Sequence, residues 1–280
     1  MTLPAQDVPG ARRRAPVAAS PGPFSSAVRN TGTVLEFCVE VLRELPIAVR
    51  LYPSEIFRHA GILIRQNSMV VLAMVFVFGA VLGLTAHYLF IAIGIDSYIA
   101  AVNAVGSMRG ILQVAFGWII AAKVGCGIVA EVGAMRISEE IDAMEVMGVR
   151  SVPYLIGTRF IAGAMVMPLL WLVSFGVNCF AGYLFNALLL DTVSEGAFVY
   201  FLFLFQNTYD LIVSTIWATV LALLIMLVSG YYGYTARGGP VGVGRNTAQS
   251  MLVNLVLVSF TAMMLVQLFY GNDPNAPIGN

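Results

Sequence analysis

Residues 69–95 read MVVLAMVFVFGAVLGLTAHYLFIAIGI, with no Asp, Glu, Lys or Arg at any position. A helix that crosses a membrane needs about 20 mostly apolar residues, since it satisfies its backbone internally while its side chains face hydrocarbon. Working outward, comparable runs lie at residues 104–130, 160–190, 211–232 and 251–270. The second contains Arg109 and Lys123, which are expected toward its opposite ends. The third is long for one span and too short for two plus a turn, so one tilted helix is expected. Ala197–Phe205 is apolar but too short to cross, and is expected to turn the chain at the outer leaflet into the fourth span. The expected fold is an all-α integral membrane protein with five transmembrane helices and its termini on opposite faces.

The composition agrees. Hydrophobic residues make up 59% of the chain and charged residues 11%, against about 25% charged in a typical soluble domain. The formal net charge is zero, but the placement is uneven. With the N-terminus inside, the cytosolic segments carry Arg12, Arg13, Arg14, Arg29, Arg43, Arg50, Arg58, Arg65, Arg136, Arg150, Arg159, Arg237 and Arg245. The outer segments carry Asp96, Asp191, Glu195, Asp210 and Asp273, with Arg109 alone among the basic residues near that side. This bias sets the orientation. Residues 1–30, rich in Pro, Ala and Ser, read as a disordered cytosolic arm, because no uninterrupted apolar stretch follows as in a signal peptide. Residues 271–280 read as an external tail. Cys38, Cys126 and Cys179 lie far apart without a CxxC pair, and His59 and His87 are isolated. Small buried thiols are therefore expected, with no metal site.

Thr33–Gln66 does not span. Glu36, Glu40, Arg43, Glu44 and Arg50 recur at near-helical spacing among Val34, Phe37, Val41 and Leu45. The pattern fits a helix over 33–66 lying in the cytosolic interface and bent by Pro46 and Pro53, or else a solvated helix packed on other subunits.

Between the second and third spans lies EVGAMRISEEIDAMEVMGVRSVPY, residues 131–154. Ser138 can cap a helix with Glu139 and Glu140 in its first turn, Gly148 is a plausible stop, and Pro153 prevents continuation. On a helical wheel Ile137, Ile141, Met144 and Met147 share one face, while Glu139, Asp142 and Glu145 point elsewhere. Such a short acidic, amphipathic helix, tethered at both ends to spans, can pass a push from a soluble partner into the membrane; it can equally be a loop helix resting on the membrane surface.

GAMRISEEIDAMEVMGV (residues 133–149) resembles the signature of the MCE-associated ABC permeases, the YrbE/MlaE family. YYGYTARGGPVGVGRNT (residues 231–247) resembles that family's Gly-rich loop before the last helix, and the likeness extends loosely over about residues 33–270. It implies a permease domain over 31–270 in which the 133–149 helix docks in a groove on an ATPase through Glu139, Glu140, Asp142, Glu145, Met147 and Gly148. Many members carry a Lys followed by Phe-Gly in span four, where this chain has Ile216, Trp217 and Ala218. With YYGY and the LFYGNDPN tail (residues 268–275), the chain is more similar to the B-type permease of the actinobacterial pair.

Gly238, Gly239, Pro240, Gly242 and Gly244 lack the Lys-Ser/Thr ending of a nucleotide-binding loop. They are expected to form a tight cytosolic turn, with Asn246 or Thr247 capping the fifth helix and the turn in reach of the ATPase or partner permease. Asp210 is expected to cap span four from outside, and Lys123, eight residues before Glu131, to snorkel or pair near the inner end of span two.

The resemblance implies the permease subunit of a lipid transporter in the plasma membrane, importing fatty acids or sterols. Its implied partners are a related A-type permease in a heterodimer, an ABC ATPase dimer that holds ATP and Mg, and an external MCE assembly. No cofactor in this chain, no nucleic-acid partner and no catalysed reaction are expected. A membrane-embedded lipid-modifying enzyme would need convergent His, Asp, Cys or Ser near an interface; a non-transporting scaffold is the other alternative.

Overall fold

The computed structural model describes residues 23–271. The first part of the expected arm and the tail beyond Gly271 lie outside the described residues. Residues 23–30, assigned to that arm by composition, form the first turns of α1 (Pro23–Leu51), which carries Pro46 within it. The helix breaks at Tyr52, and α2 (Pro53–Ile93) starts with a proline in its first turn, where the missing N–H costs nothing. From there α2 runs unbroken into the first span. The interfacial helix expected over 33–66 is thus divided: it ends at Leu51, and 53–66 belong to the spanning rod.

The second span also starts elsewhere than expected. Residues 99–108 form a separate short helix, α3 (Ile99–Met108), and the crossing begins at α4 (Ile111–Ile120). Between them Gly110 adopts φ 135°, a conformation open to glycine. Gln113 heals this break: the Gly110 N–H donates to its Oε1 at 2.8 Å, and its Nε2 donates to the Met108 carbonyl at 2.5 Å. A π-helical turn at Ala121–Gly125 joins α4 to α5 (Cys126–Ile137). Then come α6 (Glu140–Val146), α7 (Thr158–Tyr183) with π turns at both ends, α8 (Glu195–Leu204), α9 (Thr208–Tyr234) and α10 (Gly239–Tyr270).

Among the described residues five helices are long and apolar enough to cross a membrane: Pro53–Ile91, Ile111–Ile137, Pro153–Leu189, Thr208–Tyr234 and Gly239–Tyr270. Residues 195–204 form the short helix α8, matching the non-crossing apolar segment expected there. Asp210 does not cap α9; Asn207 does, its Oδ1 accepting from the Tyr209 N–H at 3.2 Å. Asn246 and Thr247 do not cap the last helix, which begins seven residues before Asn246. Instead Asn246 donates to the Tyr232 carbonyl at 2.8 Å and Thr247 to the Val243 carbonyl at 2.8 Å.

Trp171, Trp217 and Phe116 are fully buried where α4, α7 and α9 meet. The α2–α7 crossing is close enough for backbone contact, as small residues permit in hydrocarbon. A Cβ added at Gly79 would lie 2.6 Å from the Asn178 carbonyl oxygen, and one at Gly83 2.8 Å from Asn186 Nδ2. Ser107 ties α3 to α7 by donating to Asn178 Oδ1 at 2.6 Å. All three cysteines are free thiols, and burial pushes the Cys38 thiol above its ordinary value.

Candidate functional site

The helix between spans two and three is shorter than its sequence suggests, and its caps are different. Ser138 closes α5 rather than opening α6: its hydroxyl donates back to the Ala134 carbonyl at 2.9 Å and across to Glu140 Oε1 at 3.0 Å. Glu139 then takes φ 61°, a left-handed conformation that reverses the chain into α6. Gly148 ends the turn at φ 79°, as its position after the apolar run suggested.

Ile141 is fully buried and anchors α6 to the main core, while Met144 is half-buried against it. The apolar face read from the wheel is therefore split. Met147 is 72% exposed and Val146, absent from that face, 89% exposed, so both stand free at the tip.

The carboxylates divide similarly. Asp142 pairs with Arg136 at 2.5 Å, and Arg136 stacks over the Tyr234 ring with its guanidinium carbon 5.8 Å from the centroid. Glu145 accepts from the Ser151 hydroxyl at 2.6 Å and from the Tyr234 hydroxyl at 3.1 Å. These two acids, expected to face a partner, hold α6 against the end of the fourth span. Glu139 and Glu140 are exposed, with Glu140 held only by Ser138 among the described residues.

Tyr234 is the residue that the sequence reading missed. It closes α9 next to the Gly-rich segment, so both motifs meet at one phenol. In that segment Gly238 (φ 85°) and Gly239 (φ 70°) make the expected turn, with Pro240 at the start of α10. Gly242 and Gly244 lie inside the helix rather than in the turn. Val243 packs against Gly133 of α5: a Cβ added there would lie 2.9 Å from Val243 Cγ1.

Within the spans, Arg109 and Asp210 form an ion pair at 2.8 Å, and the Tyr270 hydroxyl donates to the other Asp210 oxygen at 3.2 Å. An apolar cavity of about 510 Å3 lies beside this end, bounded by Phe90, Tyr98, Val102 and Phe205. Toward the α6 end, Arg159 meets Glu131 at 3.3 Å. Among the described residues no group of His, Cys, Asp and Glu could hold a metal ion.

The described residues thus combine a helix tethered at both ends with an exposed apolar tip, five helices able to cross a membrane and a Gly-rich turn before the last of them. The profile described as Permease MlaE matches residues 56–268. The chain belongs to the MlaE permease family. A probable ABC transporter permease protein of Rickettsia prowazekii is 33% identical over 221 residues, covering 79% of this chain and 85% of that protein. One from Rickettsia bellii is 29% identical over 246 residues, 87% of this chain and 94% of its own length. The chloroplastic protein TRIGALACTOSYLDIACYLGLYCEROL 1 of Arabidopsis thaliana is 29% identical over 184 residues, 65% of this chain and 51% of that protein. This MlaE-family permease is thus the multi-pass membrane subunit of an ABC transporter rather than an enzyme, and such a subunit works with an ATPase.

Proposed function

We propose that this permease moves hydrophobic lipids across the plasma membrane, driven by a separate ATPase dimer that grips α6 from the cytosol. The observation that carries the coupling role is the pair Val146 and Met147, held out at the tip of a helix that Ile141, Asp142 and Glu145 fix against the spans. Exposed apolar anchors beside charged residues are how short helices seat in a partner's groove, with Glu139 and Glu140 supplying charge complementarity. The Arabidopsis relative's name, which contains a galactolipid, supports a lipid substrate, as does the apolar cavity beside Arg109. The likeness of Ile216–Ala218 and residues 268–275 to B-type permeases supports import of fatty acids or sterols, pairing with a related A-type permease and delivery through an external MCE assembly.

Val146→Asp with Met147→Asp places two acids in the expected socket and spares every internal contact of α6. Loss of an interface anchor costs about 2 kcal/mol or more, so at about 1.4 kcal/mol per tenfold the pair should weaken ATPase co-purification at least tenfold. Unchanged co-purification and transport in the double variant would remove α6 as the coupling contact. Pull-down of a complex holding two copies of this chain and no related permease would refute the heterodimer.

A further inference from the structure

Lys123 lies on the π-helical turn Ala121–Gly125 of the crossing Ile111–Ile137, level with Gln66 and Asn67 of α2 and so toward the α6-side end of the spans. It was expected to snorkel or pair near the inner end. Its residue is exposed at this depth, and it forms no ion pair with any described residue. A cation without a partner beside a membrane core marks a candidate binding group, and π turns inside helices often accompany functional sites.

The side chain borders a cavity of about 90 Å3 of mixed polar and apolar lining between α2, α5, α7 and α9. Its walls include His59, Gln66 and Asn67 from α2 and Arg159 from α7. Arg159 is already balanced: it donates to the Leu155 carbonyl at 2.7 Å and to Glu131 at 3.3 Å. Lys123 is therefore the unmatched charge, and the cavity carries a net positive one. A wider groove of about 700 Å3 shares His59, Gln66, Glu131 and Arg159 with it and reaches Ser138 and Glu140 beside α6. The two openings adjoin at His59, Gln66, Glu131 and Arg159, so the groove beside α6 leads toward Lys123 along a mixed wall in which Ile62, Met135, Ile137 and Leu155 alternate with charged and polar groups.

We propose that Lys123 and this cavity bind the anionic headgroup, phosphate or carboxylate, of a lipid drawn from the leaflet on the α6 side. An ammonium is a compact point charge with three donors, suited to either oxyanion. Gln66 and His59 supply polar contacts on the facing wall. Gly127 leaves room at the cavity's edge: a Cβ added there meets nothing within 4 Å. The proposal rests on the lipid-transport reading and names the headgroup chemistry and place of capture.

The test uses the full chain purified in mild detergent and native mass spectrometry. Samples receive equal dioleoylphosphatidylglycerol and dioleoylphosphatidylcholine, with oleate or inorganic phosphate added in separate arms. Phosphatidylglycerol should be retained at least tenfold over phosphatidylcholine, and oleate should displace it. Lys123→Met should erase the preference, and Lys123→Arg should keep it. Gly127→Leu, which fills open space without touching the charge, should lose the bound lipid while its elution profile stays normal, so the site remains testable even if Lys123→Met misfolds. Equal retention of both lipids, or a preference that survives Lys123→Met, overturns the site. Retention of inorganic phosphate in place of lipid reassigns it to a soluble anion. Loss of subunit assembly in Lys123→Met, with lipid retention unchanged in Gly127→Leu, assigns Lys123 to a contact between subunits instead. Any of these failures, with α6 still required for ATPase binding, leaves the transporter reading in place.

Discussion

At the scale of single residues, the most exacting feature is the ion pair at the end of the molecule remote from α6. Asp210 has no exposed side-chain surface and Arg109 retains 12%. Two guanidinium nitrogens reach the same carboxylate oxygen, at 2.8 and 2.9 Å, and the Arg109 guanidinium carbon lies 5.4 Å from the centre of the Tyr270 ring. The three residues belong to the α3–α4 break, the first turn of α9 and the last of α10, so one charge cluster fixes three elements. Such a pair adds little over apolar packing, yet removing one partner costs about 3–5 kcal/mol because a charge is left buried without compensation. Arg109→Ala and Asp210→Ala should each lower the thermal unfolding midpoint in detergent. Arg109→Ala should do so more, since it strands the more deeply buried group. The double variant should be less damaged than the sum of the two. Simple additivity in this cycle would mean that the pair is not coupled.

At the scale of elements, α6 is held by a latch rather than by its own propensity, for a helix of 7 residues is too short to persist alone. Tyr234→Phe removes the phenol hydroxyl from Glu145 and Ser151 while keeping the ring under Arg136. A hydrogen bond to a charged group contributes about 1.5–3 kcal/mol, so amide exchange across 140–148 should accelerate about tenfold or more while the spans stay protected. Unaltered exchange there would mean that Ile141 and the Arg136–Asp142 pair fix the helix without the phenol. The spans themselves were legible in sequence because long apolar runs have one stable solution in hydrocarbon. The break at Arg109–Gly110 was not legible, since apolar residues flank it on both sides and the repair by Gln113 is a matter of geometry. Nor was the latch: Glu145 and Tyr234 are 89 positions apart in sequence, and an isolated helical wheel shows Glu145 only as an outward acid. Gly148 was legible, because a glycine closing an amphipathic run has a local reason to adopt a positive φ. Asn246 looked like a cap by residue type, yet the turn at Gly238 and Gly239 had already started the helix.

At the scale of the whole molecule, five crossings place α6 and α8 on opposite faces, since one full span, Pro153–Leu189, separates them. Which face is which depends on charge. The α6 end gathers Arg58, Arg136, Arg150, Arg237 and Arg245, whereas at the α8 end Arg109 is neutralised by Asp210. The first crossing helix covers 39 residues, about 58 Å at 1.5 Å per residue against a hydrocarbon core of about 30 Å. Its arginine-bearing start therefore projects beyond the core on the α6 side, where Arg58 and Arg65 are exposed. Positive residues are retained in the cytosol, so α6 should face the cytosol and α8 the exterior. Both sites can be tagged without disturbing the fold: Ala143 is exposed on α6, and a Cβ at Gly196 on α8 meets nothing within 4 Å. With Cys38, Cys126 and Cys179 replaced by Ser, an impermeant maleimide applied to intact cells should label Gly196→Cys and spare Ala143→Cys. In inside-out vesicles the pattern should reverse. Labelling of both positions from one side would break the five-span topology, and the opposite pattern would keep the topology but invert it, putting α6 out of reach of any cytosolic ATPase.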